Sequence, residues 1–272
     1  MSHTHRASGR WRPRPLIRAS FALHAGALAA LLVQPQWWPW AAGGIAANHL
    51  LLTALGLIPR SSLLGPNWTR LPPEARERPA VALTFDDGPD PLVTPRVMDL
   101  LDAAGVRGTF FCIGERAARH PDLCREIVLR GHGVENHTQH HGHGFALLGT
   151  GRLAREIQSA QEVLTAITGQ APRFFRAPAG LRSPLLDPVL SRLGLRLATW
   201  TRRGYDTRMH DPERVTRRLL HGLGSGDILL LHDGNAARCG DGEPVVLRVL
   251  PALLEAVSAS GLRPVTLRSL VP

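Results

Sequence analysis

The chain contains no lysine, so all 32 basic residues are arginine, a bias that codon usage accounts for and that points to no functional class. It has three cysteines, Cys112, Cys124 and Cys239, an odd number without the paired spacing of zinc ligands. They exclude a disulfide framework as the source of stability and read as core or incidental thiols. No internal repeat and no low-complexity tract occurs. Acidic residues are missing from residues 1–73, which hold seven Arg, whereas the remainder carries 25 Arg against 22 acids. The net charge of +10 therefore belongs to the N-terminal segment. The rest of the chain lacks the excess that marks a nucleic-acid-binding face, and no nucleic-acid partner is expected.

That basic segment leads into apolar sequence. Arg6 to Arg18 precede the run Ala19–Val33, Gln34-Pro35-Gln36 interrupts it, and a second run, Trp37–Ile58, ends at Pro59-Arg60. The second run has the ~20 residues a bilayer span needs, and the first is a little short. Trp37, Trp38 and Trp40 lie between the runs, where an aromatic belt would sit. Arginine flanks both outer ends and the connecting turn is uncharged. The positive-inside rule then predicts a membrane hairpin through residues 16–58 with both ends in the cytoplasm. A cleaved signal peptide processed near Ala41-Ala42-Gly43 also fits, as does a buried soluble hairpin, since His24, Asn48 and His49 dilute the runs. The expected organisation is a basic N-terminus with two helices over 1–60, a Pro- and Arg-rich linker over 61–79, and a main domain over 80–270.

In the main domain strand-like runs alternate with helical patterns. Strands are predicted at Val81–Phe85, Gly108–Ile113, Gly133–Asn136, Arg173–Arg176, Arg196–Trp200, Asp227–His232 and Pro264–Leu267. Helices are predicted at Thr94–Ala104, Arg116–Arg130, Arg152–Thr168, Pro184–Leu193, Pro212–Leu223 and Val245–Ala259. The alternation implies an α/β fold with a parallel sheet, closed or nearly closed, of distorted (β/α)7 barrel type behind an N-terminal hydrophobic helical hairpin. In such folds the active site lies at the C-terminal ends of the strands.

Polar residues gather at those ends. Asp86 and Asp87 follow the first strand, where Gly88-Pro89 stop it, and two adjacent like charges call for a compensating cation. His137-Thr-Gln-His140-His141 follows the third, Arg176-Ala-Pro-Ala179-Gly180 the fourth, Asp206 the fifth, and His232-Asp233-Gly234 the sixth. His137 and His141 are four apart, so on a helical turn both imidazoles face one side, as zinc ligands do. His140 and His143 are rivals for the same role.

These stretches make the chain similar to the polysaccharide deacetylase family, the NodB-homology domain of carbohydrate esterase family 4. Thr84-Phe-Asp-Asp-Gly-Pro89, His137-Thr-Gln-His-His141, Arg176-Ala-Pro-Ala-Gly180 and Leu229-Leu-Leu-His232 resemble family motifs in order, and Thr109-Phe-Phe-Cys-Ile-Gly114 resembles its second strand. The resemblance implies Asp87, His137 and His141 as metal ligands and Asp86 as general base. It implies Arg176 as the residue positioning that base, the Ala179 N–H as an oxyanion donor, His232 as general acid and Asp206 as its orienting partner. The metal would be zinc, with cobalt, nickel or manganese as alternatives. Two positions depart from the pattern. Ala179 stands where the family has an aromatic residue, and Arg203 and Thr207 replace an Asp and a Trp of the fourth motif. Arg202, Arg203 and Arg208 near that motif are candidates for phosphate contact or plain surface charge. The expected activity is metal-dependent removal of an N-acyl group, N-acetyl first, from an amino sugar in a polysaccharide or glycoconjugate. A lipid-linked amino sugar at the cytoplasmic face of a bacterial inner membrane, an O-acetyl carbohydrate ester, and an inactive scaffold or sugar-binding module remain alternatives, as does an extracytoplasmic domain.

Overall fold

A computed structural model describes residues 11–271. At its centre lies a curled sheet of parallel strands: β1 (Ala80–Asp86), β2 (Thr109–Cys112), β3 (Gly133–Asn136), β4 (Phe174–Phe175), β5 (Arg196–Leu197), β6 (Arg202–Arg203), β7 (Ile228–His232) and β8 (Arg263–Pro264). The order is β5-β4-β3-β2-β1-β7-β6, with β8 paired to the start of β1. Every residue of β1, β2, β3, β4 and β7 is buried, as expected of strands covered on both faces. One core joins Phe85, Phe110 and Leu229 of the strands to Val97, Leu101, Val249 and Leu253 of the flanking helices.

Register does much of the positioning. In the β1–β7 pair Asp86 lies opposite His232. In the β3–β4 pair Asn136 lies opposite Phe175, so His137 and Arg176 emerge side by side one residue later.

The sheet departs from the expected barrel at one place: it is open between β5 and β6. Those edges are spanned by the chain before β1. Trp68 N–H donates to Leu197 O at 2.9 Å, Thr199 N–H donates to Trp68 O at 2.9 Å, and Leu71 N–H donates to Gly226 O at 2.8 Å. Segment 61–79 thus packs against the sheet as well as connecting, with Leu64 and Leu71 buried. β6 was not expected, because Arg202-Arg203 carries no apolar alternation. The predicted helix Arg116–Arg130 is two, Gly114–Arg119 and Pro121–Leu129. Pro121 has no N–H to continue the first, and starts the second instead.

The N-terminal apolar runs form two antiparallel helices, α1 (Pro15–Val33) and α2 (Trp38–Gly56). Their polar residues turn inward. Asn48 Nδ2 donates to Ser20 Oγ at 2.9 Å, and the His24 and His49 rings meet edge-on at 5.2 Å. The outer faces are apolar: Leu28, Leu32, Val33, Trp38, Trp40 and Leu50 are all more than 60% exposed. Among the described residues one helix, α1, is long and apolar enough to cross a membrane. α2 is as long, but Asn48 and His49 lie within it. The hairpin is tied to the sheet domain where Arg182 N–H donates to Gly56 O at 3.1 Å and Trp11 Nε1–H to Asp187 at 2.8 Å.

Candidate active site

The C-terminal ends of β1, β3, β4 and β7 bring the predicted residues to one rim. Asp87 leaves β1 with φ 71°, a left-handed bend that turns its carboxylate from the course of the strand into the site. Its Oδ1 lies 3.2 Å from His137 Nε2 and 3.1 Å from His141 Nε2. Among the described residues these three form a cluster whose ligand atoms lie within 4.8 Å of one another. The donor set suits a divalent cation on two further grounds. Asp87 Oδ1 is buried without a hydrogen-bond partner. His137 Nδ1–H donates to Arg176 O at 2.8 Å, which leaves Nε2 with its lone pair toward Asp87.

The two histidines do not converge through a helical turn. His137–His141 is a loop held by positive φ at Thr138 (68°) and His141 (54°), and pinned where His141 N–H donates to Thr138 Oγ1 at 2.9 Å. His140 faces away, its Nδ1 2.8 Å from Glu156, and His143 lies outside the cluster. Burial works against a charged Asp87, yet His137, His232 and His141 together hold its carboxyl well below the usual range.

Asp86 sits beside this cluster, its Oδ2 3.8 Å from His137 Nε2. Arg176, with no exposed surface, reaches across the curl of the sheet from β4 to donate to Asp86 Oδ1 at 2.6 Å. The same guanidinium donates to Thr84 Oγ1, Ala198 O and Thr199 O and lies 4.0 Å over the Phe111 ring. Each of its three nitrogens thus has a hydrogen-bond partner, as a buried cation requires. Burial lowers its pKa while the Asp86 charge raises it, with burial the larger.

Across the site His232 Nδ1–H donates to Asp206 Oδ1 at 2.8 Å, while the His232 backbone N–H donates to Asp206 Oδ2 at 2.7 Å. Burial disfavours a charged ring, but Asp206, backed by Asp86 and Asp87, overrides it and raises the His232 pKa to about 9. Ala179 occupies a left-handed turn (φ 53°) after Arg176. Gly180 follows at φ 73°, where a Cβ would lie 2.6 Å from Trp200 and 2.7 Å from Pro59.

The sequence reading missed the supports of Asp87. Asn235 Nδ2 donates to Asp87 Oδ2 at 3.1 Å, and Arg116 donates to both Asp87 O (2.8 Å) and Asn235 Oδ1 (2.9 Å). This arrangement steers Oδ1 toward the histidines. Asn235 lies three residues beyond His232, a hint the motifs did not use.

A curled parallel sheet with an Asp-His-His cation site, a second carboxylate and a charged histidine on its C-terminal rim defines a metal-dependent hydrolase. Comparison narrows the class. The polysaccharide deacetylase family model matches residues 74–198. The chain is 36% identical over 156 residues to a chitooligosaccharide deacetylase of Azorhizobium caulinodans, covering 57% of this chain and 74% of that protein. It is 30% identical over 193 residues to a peptidoglycan-N-acetylglucosamine deacetylase of Bacillus cereus, covering 70% and 87%. A solved peptidoglycan N-acetylglucosamine deacetylase, bound to 4-naphthalen-1-yl-N-oxidanyl-benzamide, superposes with a TM-score of 0.67 at 27% identity over 75% of this chain and 92% of that one. The chain belongs to the polysaccharide deacetylase family.

Proposed function

We propose that the protein removes an N-acetyl group from an amino sugar, using zinc bound by Asp87, His137 and His141, on a domain anchored at the bacterial inner membrane. A divalent ion there supplies a water acidified toward neutrality and a positive charge for the acyl oxygen. Asp86, hydrogen-bonded to the Arg176 guanidinium, takes the proton of the attacking water. Arg176 holds this carboxylate in place. His232, protonated by virtue of Asp206, gives its proton to the departing nitrogen. The Ala179 N–H donates to the oxygen that gains charge. Asp206 fixes the ring so that Nε2–H faces the substrate.

The observation that carries this reading is the β1–β7 register, which sets a carboxylate and a charged imidazole opposite each other beside the cation site. An amide needs both a base and an acid, because its nitrogen leaves only when protonated. The similar proteins, a chitooligosaccharide deacetylase and a peptidoglycan-N-acetylglucosamine deacetylase, support the acetyl assignment. The anchor is supported by the large apolar side chains exposed on the outer faces of α1 and α2, which a bilayer would cover. Arginines at both outer ends of the hairpin favour a cytoplasmic domain. Boundaries of 1–60, 61–79 and 80–270 serve as the proposed division of the chain.

The test is acetate release by the full-length protein from paired N-acetylated and O-acetylated sugar oligomers, with the bound metal quantified. Hydrolysis of the O-acetyl substrate alone overturns the amide reading. A C-terminal alkaline phosphatase fusion reports the side of the membrane, and phosphatase activity overturns the cytoplasmic placement.

A further inference from the structure

Beside the active site opens a groove of about 780 Å3 that the chemistry above does not use. It is lined by five arginines, Arg60, Arg202, Arg203, Arg217 and Arg218, and by no carboxylate. Arg202 is neutralised from behind by Asp227. Among the described residues Arg203, Arg217 and Arg218 take part in no ion pair. Arg203 is held between two rings, 5.2 Å from Trp200 and 4.9 Å from Tyr205, and its buried Nε has no hydrogen-bond partner. Arg218 lies over the same Tyr205 ring at 4.8 Å. Two cations thus crowd one ring with no counter-charge, an arrangement that an anion with several oxygens would relieve.

The groove's place specifies the anion. Its walls are shared with the active site: Trp200 also faces Arg176 at 5.9 Å, and Tyr205 directly precedes Asp206. An anion in the groove therefore adjoins a sugar whose acyl group lies at the rim. At the other side the groove is bounded by Ile58, Pro59 and Arg60, just past the end of α2. α1, the helix apolar enough to cross a membrane, spans about 28 Å, close to the hydrocarbon thickness of a bilayer. In the antiparallel hairpin Ile17 near the start of α1 packs with Leu52 near the end of α2, so the membrane anchoring proposed above puts residues 58–60 at headgroup depth, where lipid phosphates are.

We propose that this groove binds the phosphate through which an N-acylated amino sugar is attached to a membrane lipid. The proposal rests on the amide-hydrolase reading above and names its substrate class. Arg203 and Arg218 grip the phosphate oxygens, Arg60 and Arg217 add charge, and the sugar extends past Trp200 toward Asp86.

The experiment uses full-length protein in phosphatidylcholine nanodiscs. The probes are polyprenyl-phosphate-linked N-acetylglucosamine, an uncharged alkyl N-acetylglucosaminide of similar chain length, and free N-acetylglucosamine 1-phosphate. The expected kcat/KM for the phosphate-linked lipid exceeds that for the uncharged lipid at least about tenfold. In Arg203→Gln/Arg218→Gln that ratio falls toward one, mainly through KM, and the exposed-site variant Arg218→Gln moves it the same way. A ratio is unaffected by partial misfolding, which lowers both rates together. Equal rates on the two lipids, or a ratio the variants leave unmoved, overturns the proposal. So does turnover of the free sugar phosphate as efficient as that of the lipid-linked probe. Binding of the phosphate-linked probe to Asp86→Asn gives a readout independent of turnover. If it depends on Arg203 and Arg218 while the wild type hydrolyses nothing, the groove stands and the amide-hydrolase reading falls.

Discussion

Asp86 and Asp87 are neighbours in sequence with opposite surroundings. Asp87 turns out through a positive φ to meet two imidazoles, while Asp86 continues the strand and meets a guanidinium. Their substitutions should therefore separate. Asp87→Ala or His137→Ala is expected to abolish stoichiometric metal, measured by mass spectrometry on purified protein. Asp86→Asn should retain the metal and lose about 10²–10⁴-fold in turnover, the usual worth of a general base. Metal kept by His137→Ala would refute the site. The His232 pKa of about 9 gives a pH prediction. A raised pKa means the acid form is full at neutral pH and is lost as pH rises through that value. The basic limb of kcat/KM should therefore lie on the alkaline side. Removing the Asp206 charge by Asp206→Asn removes the main support of the proton, and the limb should move to lower pH. A cation at Asp87 opposes the proton in both proteins, so they are compared with the same metal loaded.

At the scale of elements, short strands depend on side chains that substitute for ladder bonds. β4 is two residues long, and Glu135 of β3, fully buried, holds its start by accepting the N–H of Arg173 (2.6 Å) and of Phe174 (2.8 Å). Burial raises the Glu135 pKa to about 7 against the pull of Arg268. The ordinary value is 4.5, so the folded state holds its proton longer than the unfolded one, and stability falls as pH rises from about 4.5 to about 7. Glu135→Ala is expected to cost about 2–3 kcal/mol in urea unfolding, because buried N–H groups lose their acceptor. A loss near zero would mean that water replaces it. Element identity was largely readable: β3 and the helix Val245–Ala259 fall where apolar periodicity and turn residues place them. β6 was not, since a pair of arginines has no strand signature and exists as a strand only because β7 offers a free edge. The loop carrying His137 and His141 was legible as a pair of ligands but not as a conformation. Positive φ at Thr138 and His141 is set by tertiary contacts, which local spacing does not encode.

Across the whole molecule the hairpin and the sheet domain meet at Gly56–Arg182 and Trp11–Asp187, which sets the rim and the arginine groove near the base of the apolar helices. Leu28→Asp/Leu32→Asp places charge on exposed faces of α1 that touch nothing in the protein core. Fractionation of cells expressing this variant should show a shift from membrane to soluble pools, with the melting temperature of the sheet domain unchanged. Retention in the membrane would assign the anchor elsewhere. The sequence by itself determined which residues form the candidate site and which segments are apolar, because residue type, spacing and hydrophobic period are local properties of a chain. Only the tertiary structure decided that the sheet stays open, that Asn235 and Arg116 brace Asp87, and that arginines from Arg60 to Arg218 line one groove. Those outcomes follow from register and packing between segments distant in the chain, 29 residues apart for Arg116 and Asp87 and 148 for Asn235 and Asp87, where geometry exists only once the chain has closed on itself.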